Sequence, residues 1–330
     1  MIGDLSHGGA IDHMRMTFPV APEPWVDLST GINPWPYPVD GVDLTVLHQL
    51  PLQTAFAACR SAMASAFDAP EDSVVPGPGS EILIRLLPTV VAPRHVAILS
   101  PAYSDHALVW KTAAERVSEI DSLPSILEEV DVLVLCNPGY VDGKVYAHER
   151  LEGLRSQLAA RGGWMIVDEA YADLDPGASL ARWGGRDGLI VLRSGGKFFG
   201  LPGVRIGALI APAAIREAIA ERLGVWCVSS LALHIARKAY ADLGWQTKTR
   251  ARLGRASRRL DAILTGAGFS GVCGTDLYRV VETPSASETW LRLAHQGIYV
   301  RRFTWSERHL RFGLPRDRAA ENRLARAFMA

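Results

Sequence analysis

The sequence has no surplus charge of either sign: 35 lysines and arginines balance 35 aspartates and glutamates. A broad nucleic-acid or acidic-membrane footprint needs a basic excess, so neither partner is expected. No apolar run approaches the roughly 18–20 residues that a spanning helix requires. The opening Met1–His7 lacks the basic and apolar regions of a secretory signal. A soluble, cytoplasmic chain is expected. Cysteine is sparse, and Cys59, Cys136, Cys227 and Cys273 lie far apart with no C-x-x-C pair. That spacing suits neither a zinc site nor a disulfide framework, so no metal is expected. Internal repeats and low-complexity blocks are missing too.

What is present is ample material for a core. The 330 residues are 48% hydrophobic, which fits one large or two smaller folded domains. Six prolines between Pro19 and Pro38 predict an extended, irregular arm. Helical patterns follow over 52–67, 81–90, 105–114 and 150–160, with a short helical stretch just before residue 132. Between them lie apolar strand signals at 96–99, 132–135, 164–167, 189–192 and 204–210. Strands apolar throughout and alternating with helices imply a largely parallel sheet covered on both faces. After Pro212 the pattern changes to helices over 213–223 and 231–267. Short strands are then expected near 278–281, 298–303 and 310–312, with helices over 285–295 and 317–329.

Ligands of open parallel sheets gather at the carboxyl ends of the strands. The residues placed there are polar: Tyr103 and His106, Asn137 and Tyr140, Asp168, Glu169 and Tyr171, and Ser194 with Lys197. Before them, Gly79-Ser80-Glu81 forms a turn opening a helix, a setting that offers backbone N–H groups to a phosphate. Each has a plainer reading. Ser80 can be a helix cap only, Asp168-Glu169 a solvated pair, and Tyr103 core padding. A nucleotide-triphosphate loop is disfavoured because Phe198 follows Lys197 where G-x-x-x-x-G-K-[ST] needs Ser or Thr. No G-x-G-x-x-G follows the first strand. Of the lysines Lys111, Lys144, Lys197, Lys238 and Lys248, only Lys197 sits in a glycine-rich turn at a strand end. A lysine there can form a Schiff base, and a strand-end Asp can hold a pyridinium nitrogen protonated. Those two needs together point to pyridoxal phosphate.

The segments His7-Gly8-Gly9, Ser29–Pro34, Gly77–Glu81, Asp168–Tyr171, Ser194–Gly207 and Tyr299–Pro315 carry a resemblance over nearly the whole chain. The sequence resembles fold-type I pyridoxal-phosphate enzymes of the aminotransferase superfamily. Within it the likeness is to the threonine-phosphate decarboxylases of cobalamin biosynthesis, relatives of the histidinol-phosphate aminotransferases. The resemblance implies an α/β fold with a mostly parallel sheet and a smaller α+β domain. It implies an arm over 1–45 near the active site, a cofactor-binding domain over 46–230 and a small domain over 231–330. It also implies a homodimer.

By the same resemblance Lys197 carries the cofactor, Asp168 pairs with the pyridine nitrogen and Tyr171 bonds the ring oxygen. Tyr103 stacks on the ring, with His106 supporting Asp168. Gly79, Ser80, Glu81, Ser194 and Arg205 belong to the cofactor site, as do Asn137 and Tyr140. Arg311 holds the substrate carboxylate, and His7, Ile32, Asn33 and Arg301 or Arg302 complete the substrate pocket. The implied activity is decarboxylation of L-threonine O-3-phosphate. Its rivals are an aminotransferase such as one acting on histidinol phosphate, and a non-catalytic binding protein of the same fold. Three departures stand out, the first being Leu50-Pro51 where the aminotransferases often have Tyr-Pro, with a Tyr reaching the partner subunit's site. Tyr140 occupies the place of the usual cofactor-binding Asn in Asn137–Gly143, and Gly196 stands where Ser often precedes the lysine.

Overall fold

The computed structural model describes residues 8–125 and 127–329. Its strands are β1 (Val26–Leu28), β2 (Val74–Gly77), β3 (His95–Leu99), β4 (Arg116–Ile120), β5 (Val132–Cys136) and β6 (Trp164–Asp168). They continue with β7 (Leu189–Ser194), β8 (Gly207–Ile210), β9 (Cys273–Thr275), β10 (Tyr278–Glu282), β11 (Ile298–Phe303) and β12 (Ser306–Gly313). The helices are α1 (Ile11–Thr17), α2 (Gln53–Phe67), α3 (Ser80–Leu86), α4 (Ser104–Trp110) and α5 (His148–Ala159). After them come α6 (Ala213–Leu223), α7 (Ser230–Ala241), α8 (Leu243–Gly266), α9 (Ala286–His295) and α10 (Arg318–Met329). Among the described residues no helix is long and apolar enough to cross a membrane.

The chain divides into two compact units, Tyr37–Gln246 and the remainder on either side of it. The division falls inside α8, and residues up to Pro36 group with those from Thr247 onward. The larger unit holds a seven-stranded sheet in the order β2-β8-β7-β6-β5-β3-β4. β7, β6, β5, β3 and β4 run parallel, while β8 is antiparallel to both its neighbours. Every residue of β5 and β7 is buried. That is the expected state of a strand whose two faces are both covered. On one face Leu83, Leu87, Trp110, Val134, Ile166 and Leu192 form a continuous apolar core. Each such side chain contributes about 1.5–3 kcal/mol on burial.

The smaller unit is built on a five-stranded sheet in the order β1-β11-β12-β10-β9. β1 lies parallel to β11, and the other pairs are antiparallel. The proline-rich arm thus contributes a strand. Arg323 of α10 fastens it, donating to the Pro22 and Pro24 carbonyls and to Gln296 O.

Several expected boundaries move for local reasons. The single long helix over 231–267 is two helices. Asp242 ends α7 and its carboxylate accepts the Trp245 N–H at 2.9 Å, starting a new helix. The strand expected from residue 204 begins at Gly207, because Arg205 takes a left-handed φ of 55°. No helix lies between β4 and β5 among the described residues. β4 is partly exposed and sits at the sheet edge, so it lacks the apolar run that marks the inner strands.

Candidate active site

The sheet register assembles the larger unit's polar residues along one edge. Gly77, Gly207 and Ser194 are lateral neighbours across β2, β8 and β7. Cys136, Asp168 and Leu192 are neighbours across β5, β6 and β7. The loops leaving these positions carry Gly79-Ser80, Tyr140, Tyr171 and Lys197.

Asp168 is 6% exposed. Its Oδ1 accepts the Ala170 N–H at 3.0 Å, and its Oδ2 lies 3.0 Å from His106 Nε2. A carboxylate accepts, so this imidazole nitrogen is the donor and the tautomer is fixed. His106 comes from α4, directly after Tyr103, and is fully buried. Its Nδ1 has no hydrogen-bond partner among the described residues. Burial, with Asp105 and Glu81 nearby, pushes the Tyr103 phenol well above its usual range, so it is a neutral ring. The Tyr140 ring lies 6.3 Å from it, and Tyr171 is buried beside the same strand end. Asn137 behaves otherwise. Its Nδ2 donates to Ala178 O at 3.2 Å and its Oδ1 accepts the Tyr146 N–H at 3.1 Å. The amide therefore braces two loops.

Candidate phosphate donors gather at the β2–β8 end. Gly79 has φ +94°, and a Cβ there would meet Arg205 Nη2 at 3.0 Å. A Cβ on Gly207 would lie 2.7 Å from the Ser80 N–H nitrogen. Glycine at both positions lets the Arg205 guanidinium and the Ser80 amide approach one spot. Ser194 adds a hydroxyl on the next strand, and Arg205 Nη2 rests 3.4 Å from Glu81 Oε2. A buried acid backed by imidazole, a lysine in a glycine turn and a group of cationic and N–H donors fit a phosphorylated pyridine aldehyde.

The smaller unit holds the remaining expected residues. Arg301 and Arg311 are paired across β11 and β12 and are 7% and 5% exposed. Arg311 Nη2 donates to Ser29 O at 3.1 Å, and its guanidinium lies 5.2 Å from the Tyr278 ring. Arg302 points to the other face. It stacks 4.6 Å from the Trp290 ring and donates to Ser287 Oγ at 3.2 Å. Strand alternation separates Arg302 from Arg301 and Arg311. Asn33 is buried, its Oδ1 accepting the Trp35 N–H, and Ile32 beside it is half-buried. His7 lies outside the described residues.

Sequence reasoning overlooked the groups behind the site. Glu169 is not solvated; it is fully buried. Its Oε2 accepts from Arg193 Nη1 at 2.9 Å and from Ser179 Oγ at 2.5 Å, and its Oε1 accepts the Leu180 N–H at 2.6 Å. Arg193 also pairs with Asp173 and lies 4.3 Å from the Phe67 ring. Burial pushes the Glu169 carboxyl up, opposed by Arg193, Ser179 and the Leu180 N–H. Asp173 and Glu169 hold the Arg193 guanidinium protonated despite its burial. The signal was an acid and an arginine, each adjacent to a strand-end site residue, at positions that face away from the site.

Residues 45–328 match the aminotransferase class I and II family model. A threonine-phosphate decarboxylase from Pseudomonas aeruginosa is 36% identical over 98% of this chain and 97% of its own. Another, from Sinorhizobium sp, is 37% identical over 99% and 98%. Histidinol-phosphate aminotransferase from Sinorhizobium meliloti, solved in complex with pyridoxal-5'-phosphate, superposes with a TM-score of 0.80 at 16% identity, covering 96% of this chain and 93% of its own. The chain belongs to the aminotransferase class I and II family.

The buried ion pairs give a direct test. Arg193→Met leaves two carboxylates buried without their cation, and should cost about 3–5 kcal/mol of unfolding free energy in urea. A loss below about 1 kcal/mol would show that Arg193 does not hold the strand ends.

Proposed function

We propose that this chain is a pyridoxal-phosphate-dependent decarboxylase that converts L-threonine O-3-phosphate to (R)-1-amino-2-propanol O-2-phosphate, a step of cobalamin biosynthesis. The family and the near-full-length likeness to two threonine-phosphate decarboxylases support this reading. The structural observation that carries it is the buried pair Arg301 and Arg311, adjacent on one sheet face. Threonine phosphate carries a carboxylate and a phosphate, so it has an anion for each guanidinium. Histidinol phosphate has a phosphate but no carboxylate, and so matches that pair less well.

When bound, pyridoxal phosphate supplies an electron sink for the pair released as the Cα–carboxylate bond breaks. The chain's residues supply the rest. Lys197 Nζ is the amine that would hold the cofactor, and either it or an adjacent acid would give a proton to Cα. Asp168, kept in place by His106, holds a proton at the pyridine nitrogen. Tyr171 and Tyr140 are the hydroxyls for the ring oxygen, Tyr140 standing in for the missing Asn. Tyr103 covers the ring, and Ser80, Ser194 and Arg205 hold the cofactor phosphate. Arg311 orients the substrate carboxylate. A tight clamp also stabilises the ground state, so its contribution is alignment.

The reaction is tested by incubating the holoenzyme with L-threonine O-3-phosphate and no 2-oxo acid. One CO2 per amine formed is expected, with kcat/KM lowered about a hundredfold in Arg311→Gln, the scale of losing one buried charge pair. Turnover only with a 2-oxo acid, yielding its amino acid, would make the chain an aminotransferase.

The enzyme is further proposed to be a cytoplasmic homodimer. Leu44, Leu47, Leu50 and Leu52 ahead of α2, with Val225 and Trp226 after α6, are all more than half exposed. A groove of about 620 Å³ lies between α2 and α6 beside Val225, and one of about 350 Å³ lies between residues 45–58 and α7. An apolar face of this extent calls for a covering partner, and a second copy is the occupant proposed. Light scattering should give twice the 35.9 kDa chain mass, and Leu47→Asp with Trp226→Asp should return it to the monomer. A monomeric wild type would contradict the dimer.

A further inference from the structure

We propose that Trp245, through Phe198 and Phe199, is a positioning residue for Lys197. The inference rests on Lys197 being the cofactor lysine. Lys197 follows Gly195 and Gly196, and Gly200 comes soon after with φ +67°. Crowding imposes Gly195 and leaves little room at Gly196. A Cβ at 195 would lie 2.7 Å from Ile206 Cγ2, and one at 196 would lie 3.3 Å from Pro202 Cα. The cost is conformational freedom, of which glycine gives up the most on ordering, and the turn's own bonds are few: Gly195 N–H to Ile206 O, Gly196 N–H to Ser194 Oγ and Gly200 N–H to Lys197 O.

Further stiffness comes from the two residues after the lysine. Phe198 and Phe199 are 0% and 1% exposed. Trp245 receives both rings. Phe199 stacks on it at 5.7 Å with an interplanar angle of 10°, and Phe198 meets it at 5.7 Å and 79°. Tyr240 packs against the far side of Phe199 at 4.6 Å, and Tyr37 meets Trp245 edge-on at 5.1 Å. The backbone closes the arrangement, with the Tyr37 N–H donating to Phe199 O at 2.8 Å. Asp242 sets the tryptophan itself by accepting the Trp245 N–H. Aliphatic side chains could fill this volume, but offset and edge-on rings also fix an angle. The chain thus fastens the glycine turn at its downstream end, one residue beyond the reacting amine. Misplacing a reacting group by about 1 Å can cost about a hundredfold in rate.

The test compares holoenzymes of wild type, Trp245→Leu and Trp245→Phe. The readouts are the visible band of the bound cofactor, the pH at which that band half-converts, its rate of attachment to Lys197, and kcat and KM. Trp245→Leu is expected to keep the fold and KM. Its band midpoint should move by about half a pH unit or more, and attachment and kcat should fall about tenfold. Trp245→Phe should restore most of both. An unchanged midpoint and kcat in Trp245→Leu overturns the proposal. So does a loss that follows thermal stability alone and is not rescued by Trp245→Phe. If Trp245→Leu does not fold, Tyr37→Leu removes only the ring bracing Trp245 and is judged by the same criteria. A wild type with no band at saturating cofactor overturns the cofactor reading itself, which distinguishes the two failures.

Discussion

Burying the Arg193 guanidinium between Glu169 and Asp173 is the constraint on which the larger unit's site depends. Glu169 follows Asp168, and Arg193 precedes Ser194. Because side chains alternate along a strand, fixing one face fixes the other. The ion pairs lock the ends of β6 and β7 from behind, and the two site residues beside them inherit that geometry. Charges taken out of water are costly, and such a pair does not by itself make a fold more stable. Its consequence is that the strand ends have one low-energy arrangement. The same region continues into rings, from Arg193 over Phe67 to Tyr240, Phe199 and Trp245.

On that frame the chemistry divides by unit. The larger unit offers a buried carboxylate in Asp168, an amine in Lys197 and, at Gly79, Ser80 and Arg205, the groups proposed to hold the cofactor phosphate. The smaller unit offers two neighbouring guanidinia. A family of shared fold runs many reactions, and the group lost from Cα depends on which bond the substrate's anchors align. On the proposed reading the anchors are Arg301 and Arg311, and the choice of decarboxylation over transamination would follow from how a substrate with two anionic groups is held.

Much of this was legible in the sequence because the strongest signals are local. Apolar strands at 132–135, 164–167 and 189–192 and a polar residue after each are readable from pattern alone. The lysine was found by elimination, being the one of five in a glycine turn. Long-range facts were not legible. Glu169 reads as solvated until Arg193 is set beside it by the β6–β7 register. Arg301 and Arg302 are indistinguishable in sequence, and only the pleat of β11 sends one toward Arg311 and the other to Trp290. Asn137 suggests a ligand contact in sequence, and its bonds to Tyr146 and Ala178 are a second task that pattern does not show. The break at Asp242 hid in a continuous helical pattern, because capping by a carboxylate competes with helix continuation at every Asp.

The most direct measurement is borohydride reduction of the protein loaded with pyridoxal phosphate, followed by peptide mass mapping. The account predicts a phosphopyridoxyl group on Lys197 and on none of Lys111, Lys144, Lys238 or Lys248. It also predicts that prior addition of L-threonine O-3-phosphate removes the label. Modification of another lysine, or none at saturating cofactor, would contradict it.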